Sequence, residues 1–222
     1  MVWQYMDNAF DQFKANIQRV RNLGALNRAL KATTTNALDL SDILRAELVL
    51  AVSALDYYVH ETVRLCMQET YKGNRAMTPS FLRFNISMER ALQGFLGKGF
   101  EDDENPKQNN ENVDWLDSEI RLRHGWQSFQ RADKIAEAIR LISNEQLWPR
   151  VAELLEKDSQ DIKRTLDLIV DRRNQIAHES DMDPTSIDSR WPIDESMVDE
   201  SIDFIEQITE AISKVVSDDV PK

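Results

Sequence analysis

The segment D-I-K-R-T-L-D-L-I-V-D-R-R-N-Q-I-A-H, positions 161–178, contains neither Gly nor Pro. An α-helix turns roughly 100° per residue. Wound at that pitch, Ile162, Leu166, Ile169, Val170, Ile176 and Ala177 share one apolar stripe, and Arg173 lands near its centre. A guanidinium among buried aliphatic side chains is costly unless it is paired or faces a polar cavity. Asn174 and His178 stand one turn apart on the flank of the same stripe. The segment therefore predicts an amphipathic helix whose end gathers a permanent cation, an amide and an imidazole.

Helical patterning extends to both sides. Met6, Phe10, Phe13, Ile17 and Val20 recur at helical spacing, with Leu23-Gly24 as the expected stop. After a Thr-rich stretch, a long helix is predicted over residues 41–71, capped by Ser41 or Asp39. Leu44, Leu48, Val52, Leu55, Val59, Val63 and Cys66 form its stripe, and Lys72-Gly73-Asn74 ends it. Thr78-Pro79-Ser80 predicts a shorter helix running to Leu96, since Pro suits the first turn behind a capping hydroxyl. Residues 101–112 (E-D-D-E-N-P-K-Q-N-N-E-N) read as an acidic surface loop without the spacing of a calcium-binding loop. Further helices are predicted over about 128–142 and 144–156, the second with Trp148-Pro149 near its start. Asp181-Met182-Asp183-Pro184 breaks the chain after the site helix, and Arg190-Trp191-Pro192 punctuates it again. The last helix, from about Asp194, carries Val198, Ile202, Ile205, Ile208, Ile212 and Val215.

No long strand pattern, internal repeat or heptad array is visible. The expectation is an all-α chain of six to eight helices. The two longest should pack with the site helix and the last helix in an antiparallel bundle, with the remainder as peripheral additions. One domain is expected over 1–222, with its core at about 40–216 and an N-terminal helix at 1–24.

Composition narrows the function. The chain of 222 residues has no apolar run of membrane-spanning length and no basic segment leading into an apolar one at its start, so a cytoplasmic protein without membrane contact is expected. Its one cysteine, Cys66, excludes an internal disulfide and falls in an apolar helical pattern, which suits a buried structural thiol. A net charge of −12 argues against a protein that coats nucleic acid non-specifically. It leaves room for a confined basic pocket, to which Lys163, Arg164, Arg172 and Arg173 would contribute.

The motifs of several chemistries are missing. His60, His124 and His178 have no second ligand at metal-binding spacing, so no metal is expected. There is no G-x-S-x-G elbow and no glycine-rich phosphate loop, and no cofactor is expected. Arginine plus histidine remains, which is the equipment for phosphodiester transesterification in RNA. There the substrate brings its own nucleophile, the ribose 2′-hydroxyl. Histidine moves protons near neutral pH, arginine holds the charge of the phosphorane, and Asn174 orients the phosphate or the imidazole.

On the long second helix, Asp56 lies at the edge of the apolar stripe, Arg45 three turns earlier on the same side and His60 one turn later. Arg45, Asp56 and Arg172 are the supporting candidates. Asp56 is either the carboxylate partner of Arg173 or a solvated surface acid. A plain helical adaptor is the competing reading: Arg173 closes a buried salt bridge with Asp56, and His178 sits favourably at a helix C-terminus. Geometry adds a constraint, because Arg173 and His178 point roughly 140° apart on one helix. Either the helix unwinds at Ala177-His178, or two copies face each other across a twofold axis.

At these residues a resemblance appears. R-N-Q-I-A-H (173–178) resembles the Arg-Asn-x-x-x-His signature of HEPN domains. Its surroundings, I-V-D-R-R-N-Q-I-A-H-E-S-D, are similar to the RiboL-PSP subgroup, as are R-A-E-L-V-L-A-V-S-A-L-D-Y-Y-V-H-E (45–61) and W-P-I-D-E-S…I-D-F-I-E-Q-I (191–208). The similarity covers roughly 40–216. It implies an all-α, HEPN-like antiparallel bundle that dimerises with its motifs facing. The implied activity is that of a metal-independent endoribonuclease of a defence or toxin–antitoxin system, leaving a 2′,3′-cyclic phosphate. Arg173, Asn174 and His178 would be its catalytic residues, with RNA as substrate and an antitoxin or defence protein as partner. A non-catalytic HEPN scaffold or sensor is the alternative. HEPN toxins silenced by nucleotidylation carry a Tyr two residues after the His; here that place is Ser180, a departure that puts such control in doubt.

Overall fold

The computed structural model describes residues 2–34, 38–89, 91–92, 113–186 and 189–218, the side chains of 2–7 excepted. Helix α1 spans Val2–Thr33 and α2 spans Ser41–Tyr71, followed by a 3-10 turn at Phe81–Arg83. Next come α3 (Asp114–His124), α4 (Ala132–Ile139), α5 (Leu147–Leu155), α6 (Ser159–Glu179) and α7 (Glu195–Asp218). The fold is all-α. Among the described residues the one β feature is an isolated bridge between Met182 and Arg190, and no helix is long and apolar enough to cross a membrane.

Helix α2 is the axis of the packing. Leu48, Val52, Leu55, Val59, Val63, Cys66 and Met67 are fully buried along it, and it meets α1, α3, α4, α6 and α7. Burial pushes the Cys66 thiol up to about 11, as befits an inert structural cysteine. α1 runs antiparallel to α2, with Phe10 and Phe13 packed on Tyr58 at 6.0 and 5.8 Å between ring centroids. α1 is also antiparallel to α7. Lys31 near one end of α1 holds Glu195 at 2.8 Å, while Arg21, earlier in α1, reaches Asp203 and Glu206. The predicted stripe of α7, from Val198 to Val215, is buried in full.

Several elements differ from expectation. α1 does not stop at Gly24. A methyl at that position would lie 2.7 Å from Glu47 Oε2, so the glycine serves the close approach of α1 to α2. Buried Val20 and Asn27 hold the helix on either side. The helix expected from Thr78 is interrupted: a 3-10 turn at Phe81–Arg83 is followed by a non-helical stretch at 84–87, and helix resumes at 88–89 and 91–92. Thr78 Oγ1 does accept from the Phe81 N–H at 2.9 Å, but Phe84 turns extended and the Ser87 N–H bonds Glu119 at 3.0 Å. Residues 93–96 of that prediction, and the acidic loop at 101–112, lie outside the described residues. The sequence pattern does not indicate α3, and the helix expected over 128–142 is shorter: residues 128–131 stay outside it, bonded to Asp56 of α2 and preceding an Ala132 N–H held by Asp167 of α6.

The close contact at Gly24 has an electrostatic consequence. Glu47 is only 2% exposed, and its Oε1 has no hydrogen-bond partner. Burial, with Asp199 and Glu195 nearby, pushes its carboxyl up to about 7 against the opposing pull of Arg28 and Arg21. The folded chain therefore holds a proton that the unfolded chain releases at lower pH. This contribution to stability is complete below the ordinary glutamate range and is lost as pH rises through about 7. Glu47→Gln is expected to raise stability at pH 8 by on the order of 2 kcal/mol, and to leave it nearly unchanged at pH 5. Urea unfolding at the two pH values measures this.

Candidate functional site

Helix α6 starts firmly. The Asp158 side chain accepts from the N–H groups of Gln160 at 2.7 Å and Asp161 at 3.1 Å, satisfying two of the free donors of the first turn. Ile162, Leu166, Ile169 and Val170 are buried, as predicted. Beyond Val170 burial along the stripe falls off, although Ile176 still packs against the core. Arg173, Asn174 and Ile176 are half-buried, and Ala177 and His178 are exposed. Arg173 thus stands where an inward-facing stripe emerges into solvent.

Arg173 donates through Nη1 to Asn174 Oδ1 at 2.9 Å. Its Nε is shielded from solvent with no hydrogen-bond partner. No carboxylate pairs with this guanidinium among the described residues. The partner expected for it is otherwise engaged: Asp56 Oδ1 accepts the Phe129 N–H at 2.7 Å and Oδ2 accepts Gln130 Nε2 at 3.0 Å. Asp56 thereby satisfies backbone and side-chain donors between α3 and α4 that would otherwise be left unmade. The Arg173–Asp56 salt bridge on which the adaptor reading rested is not formed.

Arg45 and Arg172 are committed elsewhere too. The fully buried carboxylate of Asp181 takes Arg45 Nε at 2.7 Å and Arg172 Nη2 at 2.9 Å, with Arg172 Nη1 on its other oxygen. Arg45 continues to Ser41 Oγ at 2.6 Å and the Trp191 carbonyl at 2.9 Å. Arg172 reaches the Trp191 and Pro192 carbonyls at 3.3 and 3.2 Å. Sequence reasoning read Asp181 only as part of a chain break. The available signal was its place three residues after His178, with two arginines of facing helices lacking an assigned acid.

The three histidines separate by environment. His124 is buried and edge-on to Phe84 and Phe129, and burial pulls its imidazole down to about 4. It stays neutral near pH 7. His60 packs on Phe129 at 4.4 Å and contacts the Gln127 carbonyl at 3.2 Å. His178 is exposed and makes no side-chain hydrogen bond among the described residues, so its ring is free to meet a ligand.

The end of α6 does not unwind at Ala177-His178. It stays helical to Glu179, then closes with Ser180 and Asp181 in the left-handed region, at φ 53° and 59°. Arg173 and His178 therefore remain roughly 140° apart in one chain.

An all-α bundle with R-N-x-x-x-H on the emerging end of an inner helix has the form of a HEPN domain, a class of proteins that commonly dimerise and include many ribonucleases and defence-associated members. This chain belongs to the RiboL-PSP-HEPN family, whose model matches residues 14–218. The match includes most of α1, which lay outside the motif-bearing segments. No curated protein matches the chain, and no solved structure does.

The partners assigned to each arginine set opposite expectations. Arg173→Ala removes an unpaired cation and should change unfolding free energy by less than about 1 kcal/mol. Arg172→Ala withdraws one of two cations from a buried carboxylate and should cost about 3 kcal/mol. Urea denaturation of both variants checks the ordering.

Proposed function

We propose that this protein is a metal-independent endoribonuclease that cleaves RNA by attack of the ribose 2′-hydroxyl, at a composite site formed between two copies of the chain. The observation that carries the reading is the state of Arg173: a guanidinium bonded to Asn174, without a carboxylate partner among the described residues, on the emerging end of α6. Substrate phosphate is the missing counter-charge, and a planar guanidinium meets it through two parallel hydrogen bonds. As the 2′-oxygen closes on phosphorus, negative charge grows on the equatorial oxygens. Arg173 stabilises that charge, and Asn174 fixes the guanidinium plane. His178 moves the proton, as base toward the 2′-hydroxyl or as acid toward the 5′-oxygen. A second chain supplies the other imidazole, since one chain cannot turn Arg173 and His178 to the same atom. A role in a defence or toxin–antitoxin system, with a partner protein that restrains the enzyme, accords with the family.

A non-catalytic HEPN scaffold is the second reading, and the excess of acidic side chains favours it. A free nuclease gains from a basic approach path, which a net charge of −12 does not provide.

Incubation of the full chain with total RNA in excess chelator decides between them. Cleavage with a 2′,3′-cyclic phosphate end is expected. Arg173→Ala and His178→Ala should each lose at least 10²-fold in rate while remaining folded. Intact RNA with the parent protein, or undiminished cleavage by both variants, overturns the catalytic reading.

A further inference from the structure

Asp181 is joined to both helices that frame the site and lies three residues beyond the histidine. We propose that it is the positioning residue of the R-N-x-x-x-H site: its carboxylate pins the last turn of α6, and His178 with it, and holds Arg45 and Arg172 off the substrate so that Arg173 alone meets the phosphate. The role in catalysis rests on the ribonuclease reading above; the pinning of the turn does not.

The backbone carries the first argument. Ser180 and Asp181 are consecutive residues with side chains in the left-handed region, at φ 53° and 59°. Such residues persist where their surroundings over-determine them, and they gather at functional sites. Here the Asp181 N–H bonds the Gln175 carbonyl at 3.1 Å, and the Trp191 N–H bonds the Asp181 carbonyl at 2.9 Å. The first closes the helix end over residues 175–181, leaving the imidazole of His178 on a turn tied at Gln175 and at Asp181. The side chain then anchors that turn to α2 through Arg45, and to α6 itself through Arg172.

Charge carries the second argument. Asp181 is fully buried, and Arg45 and Arg172 are nearly so, at 7% and 16% side-chain exposure. A buried ion triad is weak evidence for stability, because a well-packed apolar trio of similar volume often serves as well. Its specific effect is to sort the cations. One carboxylate engages two guanidiniums, which also donate to Ser41 Oγ and the Trp191 and Pro192 carbonyls. Arg173 is left outside the network. An amide in place of the carboxylate would accept through one oxygen only and would turn N–H donors toward a guanidinium.

The test uses the full-length chain and Asp181→Asn. Single-turnover cleavage should fall about 10²-fold while KM stays level or drops, the pattern of displaced chemistry rather than lost binding. In a His178→Ala background, Asp181→Asn should tighten binding to a single-stranded RNA oligonucleotide and steepen its salt dependence by roughly one to two charges, from the released arginines. Amide hydrogen exchange at 177–180 should accelerate at least tenfold while the first turns of α6 are unchanged. If Asp181→Asn does not fold, Arg172→Met, which keeps the Arg45–Asp181 pair, should show the same faster exchange and about a tenfold rate loss. A parent that cuts RNA, with Asp181→Asn or Arg172→Met cutting equally fast, overturns the proposal and leaves the ribonuclease reading intact. A parent that does not cut, with the turn still freed in Asp181→Asn, retires the ribonuclease reading and keeps the pinning. Unchanged exchange in the turn overturns the pinning in either case.

Discussion

The end of α6 is fastened by charges that have little access to water. A carboxylate taken out of solvent is expensive unless its counter-charges and hydrogen bonds come with it, and Asp181 receives both from Arg45 and Arg172. The consequence spreads through the backbone. The Trp191 and Pro192 carbonyls are drawn onto the same guanidiniums, the Met182–Arg190 bridge forms alongside, and Arg190 returns to Asp39 and Asp42 at the start of α2. The start of α2 and the segment 172–192, far apart in sequence, thus converge at the end of α6. Without that convergence the last turn of α6 would end in solvent with nothing to define its direction.

The legible parts of this chain are those decided locally. The bounds of α2 follow from an unbroken stripe and from Lys72-Gly73-Asn74, and they agree with the structure at both ends. The gathering of Arg173, Asn174 and His178 at the end of α6 is also a matter of spacing along one helix, whereas the loss of burial beyond Val170, with Ala177 exposed, is not. What differs depends on neighbours. Gly24 reads as a stop, yet its missing side chain makes room for Glu47, which belongs to another helix. α3 went unseen because its apolar face is short: Leu116 and Ile120 are buried, but Leu122 is exposed and blurs the period. Thr78 caps as expected, but Glu119 and the ring of His124 capture the residues that follow its 3-10 turn.

Partner choice was the least legible feature of the site. Pattern leaves Asp56 either the partner of Arg173 or a solvated surface acid, and it offers no partner for Arg45 or Arg172. The structure assigns Asp56 to the segment between α3 and α4 and Asp181 to Arg45, a contact spanning 136 positions. Nothing in helical periodicity encodes a contact at that separation. The physical rule behind that expectation still holds: a guanidinium near the core needs a partner. Arg45 and Arg172 have theirs, and Arg173 is the exception from which a function is inferred.

That exception bears on the acidity of the chain and on the number of subunits. A surplus of carboxylates repels RNA at long range, where salt screens the field within about 10 Å, but at contact distance a single unpaired guanidinium can dominate a phosphate. Affinity would then depend on a few close contacts rather than on a broad basic face, which favours engagement of RNA already brought near by a partner. In-line displacement at phosphorus needs a base on one side and an acid on the other. A helix that stays regular to Glu179 turns Arg173 and His178 away from each other, which would be a defect for a nuclease acting as one chain. Across a twofold axis, as proposed above, the same divergence would let each chain send its histidine toward a groove lined by the other's arginine. The rigidity of the helix end, which rules out convergence within one chain, is what would make convergence between two chains reproducible.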